Sequence, residues 1–528
     1  MSKMTSRQRQ WVNYVIPLLV IILASLVYVH NSPLYKGNQW VDTNAMLTLG
    51  QAWLQGHVPL RDIFEQRGPI LYLYYLIANV ISSRGYFGLF VIECLNLYGI
   101  WYWSRKILRL FAPTVSTEAA SGISLTLPLL LLGSFSFEDG GSPEELMLFW
   151  ILWALYLGLR YFKLGKLEVR NGVMLGVSFA VVFWTKYTLV GTWIALIVLF
   201  TVVAWARKQW RIWWQTAISF TVGASLVSGI ILGYFAVVHG LNALIHVYFT
   251  VNMTAYASPA GGKRERLWEM ATAIHRNVMA HPYGFALFVA AAVVLLFFSK
   301  EHRPLVGTTV AVIGVNLILS YWSLRTDPYV FLITVGLGMV LVAPALMVIG
   351  DQLQNKRLWL IAVGITVLML PAFGNRIALS GPYIWSNQPF AAADFGAYIS
   401  KHETKPVRVL YYNGVDMGIS RFTNVVHDQY YFEHTNLSIT KYPAQSQSER
   451  DTVAHKRAKY VVWTLTWGNK NQFNLANRQS LKQFIPKDIL KNYRIVKVGS
   501  SRSPLFDGVS GASIVGLHDE QYVLLKAR

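Results

Sequence analysis

Apolar residues run through this chain in long blocks separated by short polar segments, as far as about position 376. A bilayer core of about 30 Å needs roughly 20 helical residues. On that measure eleven spans are expected, at 11–30, 86–104, 120–136, 144–162, 172–187, 188–206, 214–238, 281–298, 304–321, 328–349 and 357–376. Beyond about residue 390 the pattern changes. VRVLYY (407–412), KYVVWTL (459–465), YRIVKV (493–498) and QYVLLK (521–526) predict short strands between turn residues, with helical character over 389–402 and 478–485. The expected fold is an all-α polytopic membrane part over 1–388, followed by a small α/β domain over 389–528.

Composition supports the membrane assignment. The 528 residues are 54% hydrophobic and only 14% charged, where soluble chains carry roughly a quarter. Nineteen Trp and twenty-eight Tyr suit the headgroup level of a bilayer. A net charge of +21 raises the question of nucleic acid. The basic residues sit instead in short segments between apolar runs, such as SRKILRL (104–110) and RKQWR (207–211), with no recognition motif, which excludes nucleic acid as the partner. Cys94, in an apolar run, leaves no disulfide framework.

Placing the basic segments on the cytoplasmic side orients the chain. The N-terminus is then cytoplasmic, with 11–30 a retained first helix rather than a cleaved signal. Segments 31–85, 137–143, the turn at Lys186, 239–280, 322–327 and everything after 376 fall outside. Counting 69–82 as a span would invert every later loop. At about 14 residues it is too short to cross, so it is read as a juxtamembrane or re-entrant helix. GGKRER (261–266) is a basic patch on the outside, either a plain solvated loop or a contact for anionic lipid or a phosphate-rich polymer.

The outer segments hold the candidate chemistry. Residues 40–75 collect Asp42, Asp62, Glu65 and Arg67. Asp42 opens an amphipathic segment, where it is either a helix cap or a general base for an acceptor hydroxyl. Arg67 can grip a phosphate through its planar fork, and the bland alternative is an interfacial arginine. Asp62 and Glu65 either orient Arg67 or join Asp42 around a divalent cation, although the spacing matches no metal motif.

FEDGGSPEELMLFW (137–150) adds Glu138, Asp139, Glu144 and Glu145 at the start of a span, a favourable place for acids in any case. Lys186, at the hairpin after a short span, and Arg325, with Tyr329 beside it, offer cations at the same level. Glu93 lies inside a span, where a carboxyl is a functional candidate or a bonded neutral group.

These elements, in this order, resemble the GT-C superfamily of polytopic glycosyltransferases, and within it the protein O-mannosyltransferases and the bacterial aminoarabinose transferases that modify lipid A. The likeness covers about residues 11–350. Asp42 matches the family's acid after the first helix, and 43–56 its amphipathic helix. FEQRGPILY matches its Lys-Pro-Pro-like element with Arg67 in place of Lys, and Glu144 or Glu145 its second acid. TKYTL (185–189) resembles the Thr-Lys turn, and RTDPYVFLI the late basic-plus-Tyr element.

The resemblance implies a polyprenyl-phosphate monosaccharide donor, an extracytoplasmic acceptor (wall polymer, lipid or protein) and inversion at the anomeric carbon. It makes Asp42 the base and Arg67, Lys186, Arg325 and Tyr329 the donor-phosphate group. Asp62, Glu65, Asp139, Glu144 and Glu145 become acceptor or sugar ligands. A transporter or flippase of lipid-linked sugars is the alternative. It calls for ionisable residues along a midplane path, whereas apart from Glu93 the charges cluster at the outer surface.

Overall fold

The computed structural model describes the chain apart from residues 1–5, 166, 257–262, 281, 299, 322–326, 354–359, 362, 365, 367–380, 436, 438, 467–472 and 507–513. The N-terminal part is helical: α1 (Ser6–Tyr28), α2 (Val41–Leu54), α3 (Pro69–Ile81), α4 (Phe87–Phe111), α5 (Thr117–Ile123), α6 (Thr126–Leu132), α7 (Pro143–Leu164) and α8 (Val169–Phe183). It continues through α9 (Gly191–Ala206), α10 (Trp210–Val237), α11 (Leu241–Ile245), a π-helical segment His246–Tyr256, α12 (Lys263–Ala280), α13 (Pro282–Phe298), α14 (Arg303–Tyr321), α15 (Leu332–Met339) and α16 (Val342–Gln352). Among the described residues six helices are long and apolar enough to cross a membrane: Trp11–Tyr28, Pro143–Leu164, Tyr187–Ala206, Trp210–Val237, Lys300–Tyr321 and Pro328–Gln352. This is an integral membrane protein.

Two expected spans are interrupted, for one physical reason. The run 120–136 splits into α5 and α6, and the run 328–349 splits at Val340 and Leu341. A proline lacks an N–H and its ring collides with the carbonyl four residues earlier. Pro128 lies four residues after Ser124, and Pro344 four after Val340, where the helices break. The expected span 357–376 lies largely outside the described residues. The GGKRER patch differs from a plain loop in that its last four residues open α12.

Segment 69–82 forms α3, only 13 residues long, and α2 packs along it. A Cβ at Gly50 of α2 would lie 2.5 Å from the backbone carbon of Tyr75, so a side chain there would force the two helices apart.

The four expected strands are present and form one sheet of order β1-β2-β4-β3, from β1 (Val409–Tyr411), β2 (Tyr460–Thr464), β3 (Tyr493–Phe506) and β4 (Ile514–Ala527). β1 and β2 run parallel, and the other pairs are antiparallel. Apolar residues of β1, β2 and β4 (Leu410, Val461, Val523, Leu525) are buried with Ile485 and Ile489 in a separate small core. The loop 412–435 leaves the sheet and docks on α2, α3 and the segment between them. Thr48 Oγ1 donates to Asp416 at 2.5 Å, the Phe64 N–H to the Tyr430 carbonyl at 2.8 Å, and Arg421 to Asn79 Oδ1 at 2.7 Å.

Candidate functional site

A cavity of about 170 Å³ opens where the first loop meets the C-terminal part. Its wall comprises Trp40, Val41 and Asp42 at the head of α2, Glu65, Gln66 and Arg67 before α3, Asp327 and Tyr329, and Val415, Glu433 and Thr435 from the C-terminal part. Four acidic residues therefore face one guanidinium.

Asp42 lies in the first turn of α2, but it is not the cap. The cap position is Trp40, with no side-chain bond. The Asp42 carboxylate instead accepts from Arg67 at 2.5 Å. Arg67 donates at the same time to Glu65 Oε1 at 2.7 Å, and its own N–H bonds Glu65 Oε2 at 2.8 Å. Tyr72 of α3 donates to the Arg67 carbonyl at 2.6 Å, closing the turn from behind. The guanidinium is thus held between two carboxylates by charge-assisted bonds.

Gly68 explains why this turn can sit where it does. Its N–H donates to the Thr185 carbonyl at 3.0 Å, and a Cβ there would lie 2.0 Å from the Trp184 carbonyl oxygen. Only glycine lets the Arg67 turn press against the turn that carries Lys186. Lys186 bonds Glu144 Oε1 at 2.5 Å, and its ammonium lies 5.4 Å from the centre of the Tyr329 ring. Tyr329 in turn meets Trp40, ring centres 5.2 Å apart. Lys186 and Glu144 therefore stand behind Tyr329 rather than in the cavity wall.

The second acidic cluster divides by role. Ser142 caps α7, accepting from the Glu145 N–H at 3.0 Å. Glu145 accepts from the Gly141 N–H at 2.7 Å, while Tyr75 and Thr43 donate to the carbonyls of Gly141 and Gly140 at 2.5 and 3.2 Å. Gly141 has φ +87, and a Cβ would lie 2.7 Å from Thr43 Oγ1. Asp139 pairs with His30, just after α1, a residue that no local pattern marks. Glu93 is fully buried and takes two bonds from Asn31 at 3.0 Å. Burial, with Asp139, Asp327 and Asp42 adding to it, pushes the Glu138 carboxyl well above its ordinary range.

Asp42, Glu65, Arg67 and Tyr329 are thus brought to one cavity, with Lys186 and Glu144 adjacent. Asp62 turns away, bonded to Arg61 and to the Val58 N–H at 2.7 Å each. It does not join Asp42 and Glu65. Asp139, Glu145 and Glu93 hold the loop that backs α2 and do not line the cavity. Arg325 lies outside the described residues. Among the described residues no group of three or more His, Cys, Asp or Glu is disposed to hold a metal ion. The cavity residues missed from sequence, above all Glu433 and Thr435, come from a part of the chain whose docking leaves no local signal.

The helical bundle and the small mixed sheet recur together in solved structures. The chain is similar in structure to ArnT from Cupriavidus metallidurans bound to undecaprenyl phosphate, with a TM-score of 0.57 at 11% identity over 98% of each chain. Against the apo state of that protein the TM-score is 0.59 at 11% identity, covering 99% of this chain and 98% of the other. An oligosaccharyltransferase from Archaeoglobus fulgidus aligns at TM-score 0.44 and 12% identity, over 86% of this chain and 69% of its own. No protein-family model matches the sequence, and no curated protein matches it. The GT-C resemblance read from the sequence is met in the fold.

Proposed function

We propose that this chain is a membrane glycosyltransferase that moves a hexosyl or pentosyl unit from a polyprenyl-phosphate carrier to an extracytoplasmic acceptor, inverting the anomeric carbon. The observation that carries this reading is Arg67 gripped between Asp42 and Glu65 in the cavity, in a chain with the fold of a protein solved with undecaprenyl phosphate bound. Residues 1–388 form the catalytic membrane part and 389–528 an outer domain. The N-terminus is cytoplasmic and the cavity extracytoplasmic.

The donor phosphate competes with Asp42 for Arg67. As the phosphate takes the guanidinium, Asp42 is released to accept the proton of an acceptor hydroxyl. The acceptor oxygen bonds to the anomeric carbon as the bond to the phosphate oxygen breaks. The electron pair leaves on the phosphate, where Arg67 stabilises the added charge. Lys186 and Tyr329 bear on the same phosphate from behind. Arg325 assists there, and Glu144 or Glu145, Asp139, Asp62 and Glu65 serve the sugar or acceptor directly or through the loops they hold. A divalent cation is the alternative role for Asp42 and Glu65.

The test is transfer by the purified chain from a panel of polyprenyl-phosphate sugars, with and without chelator. Transfer from at least one donor, lost in Asp42→Asn with donor binding retained, supports the reading. Full activity in Asp42→Asn removes the base assignment, and no transfer from any donor overturns the function.

A further inference from the structure

Most of the cavity wall comes from two parts of the chain, with Asp327 and Tyr329 completing it. Asp42, Glu65 and Arg67 belong to the loop between the first apolar helices. Val415, Glu433 and Thr435 belong to the C-terminal part, and among the described residues the last helix long and apolar enough to cross a membrane ends at Gln352. A lipid-borne donor must keep its hydrocarbon tail along those helices. The C-terminal wall is therefore the one available to a substrate arriving from water.

Glu433 is built into that wall with care. Its side chain is almost wholly buried, yet it lines the cavity. The backbone on either side is pinned to β1 and the turn after it. The Tyr411 N–H donates to the Phe432 carbonyl, and the His434 N–H to the Gly414 carbonyl, both at 3.0 Å. Glu433 Oε2 accepts from the Asp416 N–H at 2.8 Å. Beside it Thr435 Oγ1 donates to Gln445 Oε1 at 2.7 Å. Burial first, then the charges of Asp416, Glu65 and Asp42, push its carboxyl well above the ordinary range, with the bond from the Asp416 N–H opposing them. The two carboxyl oxygens offer acceptor positions to neighbouring hydroxyl groups, one of which an amide would lose.

Resting on the glycosyltransferase reading, we infer that Glu433 is a specificity-determining residue, a carboxyl group supplied by the C-terminal part that holds hydroxyls of a polyhydroxylated acceptor beside Asp42. Arg67 anchors the donor from the opposite wall. The two substrates are thereby bound by separate parts of the chain, and the outer part selects which acceptor is served.

Glu433→Gln is the informative change, because its amide oxygen still accepts the Asp416 N–H. The full chain is assayed with its active polyprenyl-phosphate sugar and two acceptor probes, a glycerol-phosphate oligomer and a Ser/Thr peptide, with release of sugar to water followed in parallel. The inference expects KM for the productive acceptor to rise roughly tenfold, as for a lost hydrogen bond to a carboxyl group. It also expects an unchanged KM for the donor and an unchanged melting temperature. Equal movement of both KM values, or no movement in either, overturns it while leaving the function intact. A wild-type chain that transfers from no donor overturns the function and this inference together.

Discussion

Arg67 meets the Asp42 carboxylate at 2.5 Å across 25 positions of chain. Both side chains keep partial access to solvent, 17% for Arg67 and 24% for Asp42. An ion pair at that exposure is worth only about 0–1 kcal/mol of stability. Its geometry, two facing groups in a cavity wall, is the one the proposed transfer calls for.

Asp42→Asn therefore separates activity from stability. Transfer should fall by roughly 10²–10⁴, the usual range for loss of a general base, while thermal unfolding in detergent moves by less than about 1 kcal/mol. A large destabilisation with residual activity would mean that Asp42 is structural.

Glu65 should behave differently, because its side chain is nearly buried at 3% exposure and it holds both the guanidinium and the backbone N–H of Arg67. Glu65→Gln keeps an acceptor but loses the charge that fixes the fork. Misplacing a binding group by about 1 Å costs up to about 10²-fold, so kcat/KM for the donor should drop by about ten- to a hundredfold. Donor titration of the purified variant checks this, and an unchanged affinity would relieve Glu65 of the role.

Lys186 and Glu144 form a pair in which the carboxylate is fully buried and the ammonium is 28% exposed. Breaking a buried pair from one side leaves an uncompensated charge and costs about 3–5 kcal/mol, whereas removing both partners costs far less. Lys186→Met should thus destabilise strongly, and adding Glu144→Gln should recover most of the melting temperature without recovering transfer. Recovery of both would make the pair purely structural.

Much of this was legible from the residues alone. The apolar blocks and the charge of their connections fix most helices, and the four alternating segments became the four strands. Asp42, Arg67, Glu65 and Tyr329 were singled out by chemistry and meet in one cavity. The two interrupted spans were legible in principle, since Pro128 and Pro344 sit inside them. The pairing of His30 with Asp139 and the arrival of Glu433 beside Asp42 depend on tertiary docking. Hydrophobic periodicity carries no information about which polar loop meets which.

His427 makes that docking sensitive to acid. It is buried with its Nε2 3.4 Å from Gln51 Oε1. Burial, then the charges of Arg421 and His57 against that of Asp428, push its pKa from 6.5 to about 3. Between those values the unfolded chain binds the proton and the folded chain does not. The stability is therefore whole above pH 6.5 and is lost as pH falls through the window. Melting temperature measured from neutral to acid pH should decline for the wild type and decline less for His427→Gln. Identical slopes would assign the loss to other groups.

Arg421 ties the C-terminal part to both α2 and α3. It is 2% exposed, bonds Asn79 Oδ1 of α3 at 2.7 Å and also reaches Gln51 of α2, with Asp416 as its nearby anion. One planar fork spans two helices, which an ammonium cannot copy. Arg421→Ala removes those bonds, strands the buried Asn79 oxygen at about 1–3 kcal/mol and leaves a void where the stem packed. The expected loss is about 3–5 kcal/mol, with Arg421→Lys recovering less than half. Because Val415 and Glu433 belong to the same loop, acceptor use should fall in step with the docking. Limited proteolysis of the variant in detergent should then release the C-terminal part before the helical part is cut. Release at the wild-type rate, with wild-type stability, would show that the loop is held elsewhere.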